Sequence, residues 1–210
     1  MLDLVLPLEC GGCGCPRTRW CPACAHQLRV RADEPHVITP RVDPGVPVFS
    51  LGRYAGPRRT AIVAVKEHGR TDLVGPLGTA LRGGLRQLLA WGVLNAPLAV
   101  VPAPTRRSAA RRRGGDPVTR IALAATSGGR GVTVVQALRM KALVRDSVGL
   151  SGAARQRNVA GRVALTANVP NGDLVLVDDI VTTGATASEA VRVLQTSGTG
   201  VVAVLALANA

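Results

Sequence analysis

The stretch LVLVDDIVTTGAT, Leu174 to Thr186, decides how the rest of the chain is read. Four aliphatic residues without alternation predict a strand covered on both faces, as in the parallel sheets of α/β proteins. Asp178 and Asp179 stand at its carboxyl end, where open α/β sheets bind ligands. Adjacent carboxylates on a continuing strand point to opposite faces, so both reach one ligand only once the chain has turned. Thr182, Thr183, Gly184, Ala185 and Thr186 then supply three hydroxyls and a glycine that allows close backbone approach. The helix that follows buries Ala187, Ala190, Val191 and Leu194, and its start predicts an anion site. Gly198 and Gly200 lead to a last strand, Val201 to Ala208.

Upstream, a short strand from Leu98 to Val101 is closed by Pro102, Ala103 and Pro104. Thr105, Arg106, Arg107 and a second run, Arg111 to Arg113, follow; Asp116 then caps a helix with Pro117 at its first position. Ile121, Ala122 and Ala125 mark the buried face of that helix. A strand, a cation-rich loop and a helix start make a natural polyphosphate site, and the same arginines suit a nucleic-acid backbone. A third strand is expected over Val132 to Leu138. From Arg139 to Val163 the pattern is weak, with Arg139, Lys141, Arg145, Arg155 and Arg157 among small residues and one short helix over Leu150 to Asn158. A long loop of this kind reads as a lid that closes cations over an anionic ligand.

Closer to the N-terminus, Val46 to Tyr54 reads as an edge strand with Pro47 near its start. Pro57 opens a helix over Arg58 to Lys66, ended by Gly69; Lys66 there reads as compensation of the helix dipole. A second helix runs from an Asp72 cap to about Trp91, with Leu77, Leu81, Leu85 and Leu88 as its apolar stripe.

All five cysteines fall between Cys10 and Cys24. Cys10-x-x-Cys13 and Cys21-x-x-Cys24 form two knuckles, each able to place two thiolates on one ion, and together they match tetrahedral, sulfur-rich zinc coordination. Cys15 is surplus: a free thiol, or a replacement for Cys13; His26 is a weaker substitute. Four cysteines leave no open position for water, so the site is structural, folding a segment too short for its own core. Prolines 35, 40, 44 and 47 mark a boundary. The expected organisation is a zinc-binding module over 1–32, a linker over 33–47 and an α/β domain over 48–210.

A formal charge of +13 points to a polyanionic partner, nucleic acid or a phosphorylated ligand. Of 26 basic residues only Lys66 and Lys141 are lysines, a skew that GC-rich coding also produces. With four aromatics in the chain, a base-stacking platform for single strands is disfavoured. The opening MLDLVLPLE lacks a basic n-region, and no apolar run approaches the roughly 20 residues that span a bilayer. A cytoplasmic location is expected, where cysteines serve as metal ligands or free thiols.

The thirteen-residue stretch resembles the phosphoribosyl-pyrophosphate (PRPP) motif of type I phosphoribosyltransferases: four hydrophobics, two acids and, after Ile180 and Val181, T-T-G-A-T. The wider pattern is similar to the ComF family of competence-associated, phosphoribosyltransferase-like proteins over nearly the whole chain. Tyr54-x-Gly56-x-Arg58, Lys66-x-x-Gly69-Arg70, Val101-Pro102-x-Pro104, Arg113-Gly114, Leu150-Ser151 and Arg155-x-x-Asn158-Val159 fall in that family's order, behind a double C-x-x-C knuckle. Gly115-Asp116 stands where the family carries an aromatic–Asn pair, and Ser147 where Gln is usual.

The resemblance implies a type I phosphoribosyltransferase fold. It implies that Asp178 and Asp179 accept hydrogen bonds from the ribose hydroxyls of PRPP, and that Thr182 to Thr186 hold its 5′-phosphate. The loop of Val101, Pro102, Ala103, Pro104, Thr105, Arg106 and Arg107 would hold pyrophosphate, with Mg²⁺ bound mainly by the ligand's own oxygens. Lys141 and Arg145 would meet leaving-group charge as the phosphoribosyl group passes to a nitrogenous acceptor. The other function it implies is a PRPP-binding module in DNA uptake or recombination, contacting single-stranded DNA or a helicase-like competence protein.

Overall fold

Leu174 to Val177 have no exposed surface, because their strand lies inside a sheet covered on both faces. The computed structural model describes residues 8–105, 115–141 and 161–210. The sheet is built from β1 (His36–Ile38), β2 (Val48–Ser50), β3 (Leu98–Pro102), β4 (Val132–Val134), β7 (Asp173–Val181) and β8 (Val201–Asn209), in the order β1-β2-β8-β7-β3-β4. Every pairing is parallel except β1 with β2. A separate antiparallel pair joins β5 (Leu138–Met140) to β6 (Val163–Leu165).

Five helices accompany the strands among the described residues: α1 (Pro22–Leu28), α2 (Gly56–Glu67), α3 (Val74–Ala90), α4 (Pro117–Thr126) and α5 (Ala185–Thr196). Alternation along β7 sorts them. Val175 and Val177 pack with Ile62 of α2, Leu77, Leu81 and Leu88 of α3, and Ile121 of α4. Leu174 and Leu176 pack with Ala187, Ala190, Val191 and Leu194 of α5. The chain is thus α/β, with a mostly parallel six-stranded sheet between helices.

Several elements differ from what periodicity predicts. β2 is an inner strand, since residues of the proline-rich linker form β1 outside it; Pro47 is tolerated because its carbonyl, not its missing N–H, meets Val204 N at 2.9 Å. Asp72 does not cap α3. It sits in a 3₁₀ turn, Thr71–Leu73, with its carboxylate held by Arg70 at 2.8 and 2.9 Å. The single strand expected over Val132 to Leu138 divides at Val134, after which the chain leaves the main sheet for β5. The helix expected at Leu150 to Asn158 lies outside the described residues. No helix among the described residues is long and apolar enough to cross a membrane.

Candidate functional site

β3 and β7 are parallel neighbours, yet the chain leaves them in opposite directions. From β3 it passes through α4 to β4 on one side; from β7 it passes through α5 to β8 on the other. α4 packs on one face of the sheet and α5 on the other. The carboxyl ends of β3 and β7 therefore flank a topological switch point, the place where open α/β sheets bind ligands.

Both aspartates lie at this edge. β7 continues through them to Val181, so the chain has not turned and the two carboxylates are divided between the faces. Asp179, 6% exposed, is held by the Lys66 ammonium at 2.8 Å from its Oδ2. Lys66 belongs to the last turn of α2, where a cation suits the helix dipole as its sequence position suggests, and it makes this ion pair as well. Half-buried Asp178 accepts the Asp179 backbone N–H at 2.8 Å. Burial, then the Asp179 charge, push its carboxyl from an ordinary 3.8 up to about 8; Lys66 opposes the rise and Asp116 adds to it.

Thr182 to Gly184 form the bend between β7 and α5. Gly184 is the N-cap at φ +83 and has no side chain of its own to cap the helix. Thr183 Oγ1 accepts a long bond of 3.4 Å from Ala185 N, and the Thr183 carbonyl accepts Val42 N at 2.8 Å. The linker thereby lies against the bend, and a side-chain carbon on Gly184 would collide with the Val42 carbonyl and stand 2.7 Å from Pro40 Cβ. Thr182 is exposed and Thr186 half-buried.

Across the switch point Val101, Pro102, Ala103 and Pro104 are buried, with Pro102 in register with Val177. The Ala103 N–H is taken by the Val177 carbonyl at 2.7 Å, and the prolines have none. This segment is therefore a frame, with no free backbone N–H from Pro102 to Pro104. Thr105 Oγ1 meets Asp116 Oδ1 at 3.1 Å; Asp116 also accepts Val118 N at 3.2 Å and Thr119 Oγ1 at 2.7 Å, capping α4 as expected. Arg106, Arg107 and Arg145 lie outside the described residues. Lys141 is exposed beyond β5, its ammonium donating to the Gly161 carbonyl at 2.9 Å; Gly161 N donates in turn to Glu189 of α5 at 2.8 Å. This anchors the base of the hairpin to α5, and none of these bonds brings Lys141 to the aspartates.

A second cluster stands on the N-terminal segment. The sulfurs of Cys10, Cys13, Cys21 and Cys24 all lie within 4.8 Å of one another, positioned to hold a metal ion. Zn–S bonds of about 2.3 Å imply tetrahedral S···S separations of about 3.8 Å, close to the 3.6 Å between Cys13 and Cys21. Burial opposes ionisation of Cys10, but backbone N–H groups of Cys13, Cys21 and Gly12 outweigh it and bring the thiol down to about 6. Burial and the neighbouring thiols push Cys24 up. Exposed Cys15 stays outside the cluster with its sulfur 3.8 Å from the Pro16 carbonyl, and His26 is not part of it.

Comparison with protein-family models and with curated proteins finds no match. Two residues that sequence reasoning missed take part in the site. Lys66 had a local explanation as good as its tertiary one. Asp116 caps α4 as its position predicts, and its charge also reaches Asp178.

Proposed function

We propose that this chain binds PRPP at the switch point and transfers its phosphoribosyl group to a nitrogenous acceptor, as a ComF-like protein with a type I phosphoribosyltransferase fold. The observation that carries the reading is the order of parts at one parallel sheet edge: two acids near the end of β7, a hydroxyl-rich bend, and the glycine-capped start of α5. A 5′-phosphate is bound where α5 begins, by backbone N–H groups and by Thr182, Thr183 and Thr186. The carboxylates of Asp178 and Asp179 accept the ribose hydroxyls one from each side of β7, so the ribose straddles the strand and does not meet both acids on one face. As the C1–O bond breaks and the bond from the acceptor nitrogen forms, positive charge builds on the ribose ring, and carboxylates aimed at it lower the barrier.

Pyrophosphate leaves with the bonding electron pair, toward Thr105 and the arginines that follow. Mg²⁺ would arrive on the ligand's own oxygens and neutralise the departing charge. For the four-cysteine cluster we propose zinc: all four donors are thiolates, which suit a borderline-soft ion without redox chemistry, and the role is structural.

Calorimetric titration of PRPP with Mg²⁺ tests the ligand. Wild type is expected to give binding heat that Asp178→Asn and Asp179→Asn each abolish. Unchanged heats in both variants, or none in wild type, overturn the assignment. Release of pyrophosphate with a pool of nitrogenous acceptors then separates turnover from binding alone.

A further inference from the structure

The Lys66–Asp179 pair is one end of a continuous set of contacts that starts at the metal cluster. Gly69, at φ +64, closes α2, and Arg70 N returns to the Ala64 carbonyl at 3.1 Å. The Arg70 guanidinium is fixed by Asp72 and extends Nη2 to the Glu9 carbonyl at 3.2 Å and the Arg19 carbonyl at 3.5 Å. Glu9 immediately precedes Cys10, and the Arg19 carbonyl also accepts Gly11 N at 3.0 Å. Leu73 occupies the space where any side chain on Gly11 would stand. The backbone around Cys10 is thus bonded and packed to residues 70–73, and these are one short turn from Lys66.

We propose that Lys66 is a positioning residue for Asp179, and that the metal-loaded cysteine module holds Lys66 in place through Arg70 and Leu73. The inference rests on the ribose assignment above. With Oδ2 taken by the ammonium, Oδ1 is the oxygen turned to a ribose hydroxyl. A carboxylate fixed before the ligand arrives loses less freedom on binding. At 6% exposure of Asp179 the pair is only weakly screened. A cation beside the ribose gives no help to a transition state that is itself becoming positive, so Lys66 acts on affinity and not on the chemical step. The module, on this account, is a remote support of the ligand site as well as an appendage.

Calorimetric titration of PRPP with Mg²⁺ into metal-loaded wild type, Lys66→Met, Lys66→Arg and Arg70→Gln tests both parts, with wild type and Lys66→Met repeated after chelation. Loss of one hydrogen bond to a charged group predicts about tenfold weaker binding in Lys66→Met, largely restored in Lys66→Arg. Arg70→Gln and metal removal should weaken wild type in the same sense, and metal removal should add nothing in Lys66→Met. Wild-type affinity in Lys66→Met sinks the positioning role while leaving the ribose assignment intact. Equal weakening of wild type and Lys66→Met by chelation sinks the route through Lys66. If chelation abolishes the far-UV circular dichroism, Arg70→Gln in the metal-loaded protein replaces it as the lesion, alone and combined with Lys66→Met. No heat in wild type overturns the ribose assignment, and this proposal falls with it.

Discussion

Asp178 and Asp179 are chemically identical neighbours placed in unlike settings. Asp179 has the Lys66 ammonium at 2.8 Å. Asp178 has a backbone N–H, but burial and the adjacent negative charge dominate and hold its proton up to about 8. Since the folded-state value lies above the ordinary 3.8, the native protein keeps a proton that the unfolded chain gives up. This group's contribution to stability is fully present below the unfolded value and is lost progressively as pH rises to about 8. Thermal midpoints of wild type should therefore carry a downward component from mildly acidic to mildly alkaline pH that Asp178→Asn removes, leaving the variant the more stable at the alkaline end. Parallel profiles for the two proteins would show that Asp178 titrates normally. The same proton bears on the proposed function: if Asp178 accepts a ribose hydroxyl as a carboxylate, that form is half withheld near pH 8, so PRPP binding should release protons and strengthen as pH rises.

At the scale of elements, sequence carried furthest where the signal was local. The unbroken aliphatic run of β7, the leucine stripe of α3 and the Asp116–Pro117 start of α4 each rest on side-chain spacing or capping, and each stands as expected. Boundaries failed where a tertiary partner outbid a local rule: Asp72 was drawn from capping by Arg70, and β1 forms in the proline-rich linker because β2 offers it a backbone ladder. The site was half legible. Its acids and hydroxyls are contiguous, whereas Lys66 reaches Asp179 only through the packing of α2 on the sheet.

Gly184 shows how a motif residue can be legible for an incomplete reason. Its place in the motif suggests room for a ligand, but the linker already occupies the space beside it, and its φ of +83 disfavours any other residue. Gly184→Ala should therefore destabilise the protein without any ligand, by about 1–3 kcal/mol from backbone strain, or roughly 2–12 °C in Tm for a chain of this size. An unchanged Tm with weakened PRPP binding would instead return the glycine to a purely ligand-facing role.

For the whole molecule the question is whether the cysteine module is a separate unit or part of the core. Leu28 of α1 is buried in the main core with Leu73, Leu77 and Leu81, and Trp20 and Val30 pack against the same cluster. Gly83 of α3 is matched to this docking, since a side-chain carbon there would stand 2.9 Å from a Val30 methyl. These contacts argue that the loaded module and the α/β domain unfold together. They also argue that metal removal lowers the stability of the whole, because an uncoordinated module exposes the α2–α3 surface it covers. The chain's two tryptophans make the test direct, as Trp20 lies in the module and Trp91 ends α3. In a Trp91→Phe protein, Trp20 fluorescence and far-UV circular dichroism should melt together when metal is bound. After chelation Trp20 should melt first, and the remaining transition should fall by several degrees, at about 2–4 °C per kcal/mol. Coincident and unshifted transitions after metal loss would mean that thiol packing alone holds the module. An early Trp20 transition in the metal-loaded protein would mean that the module is an independent unit, and it would then be unable to hold anything at the ligand site in place.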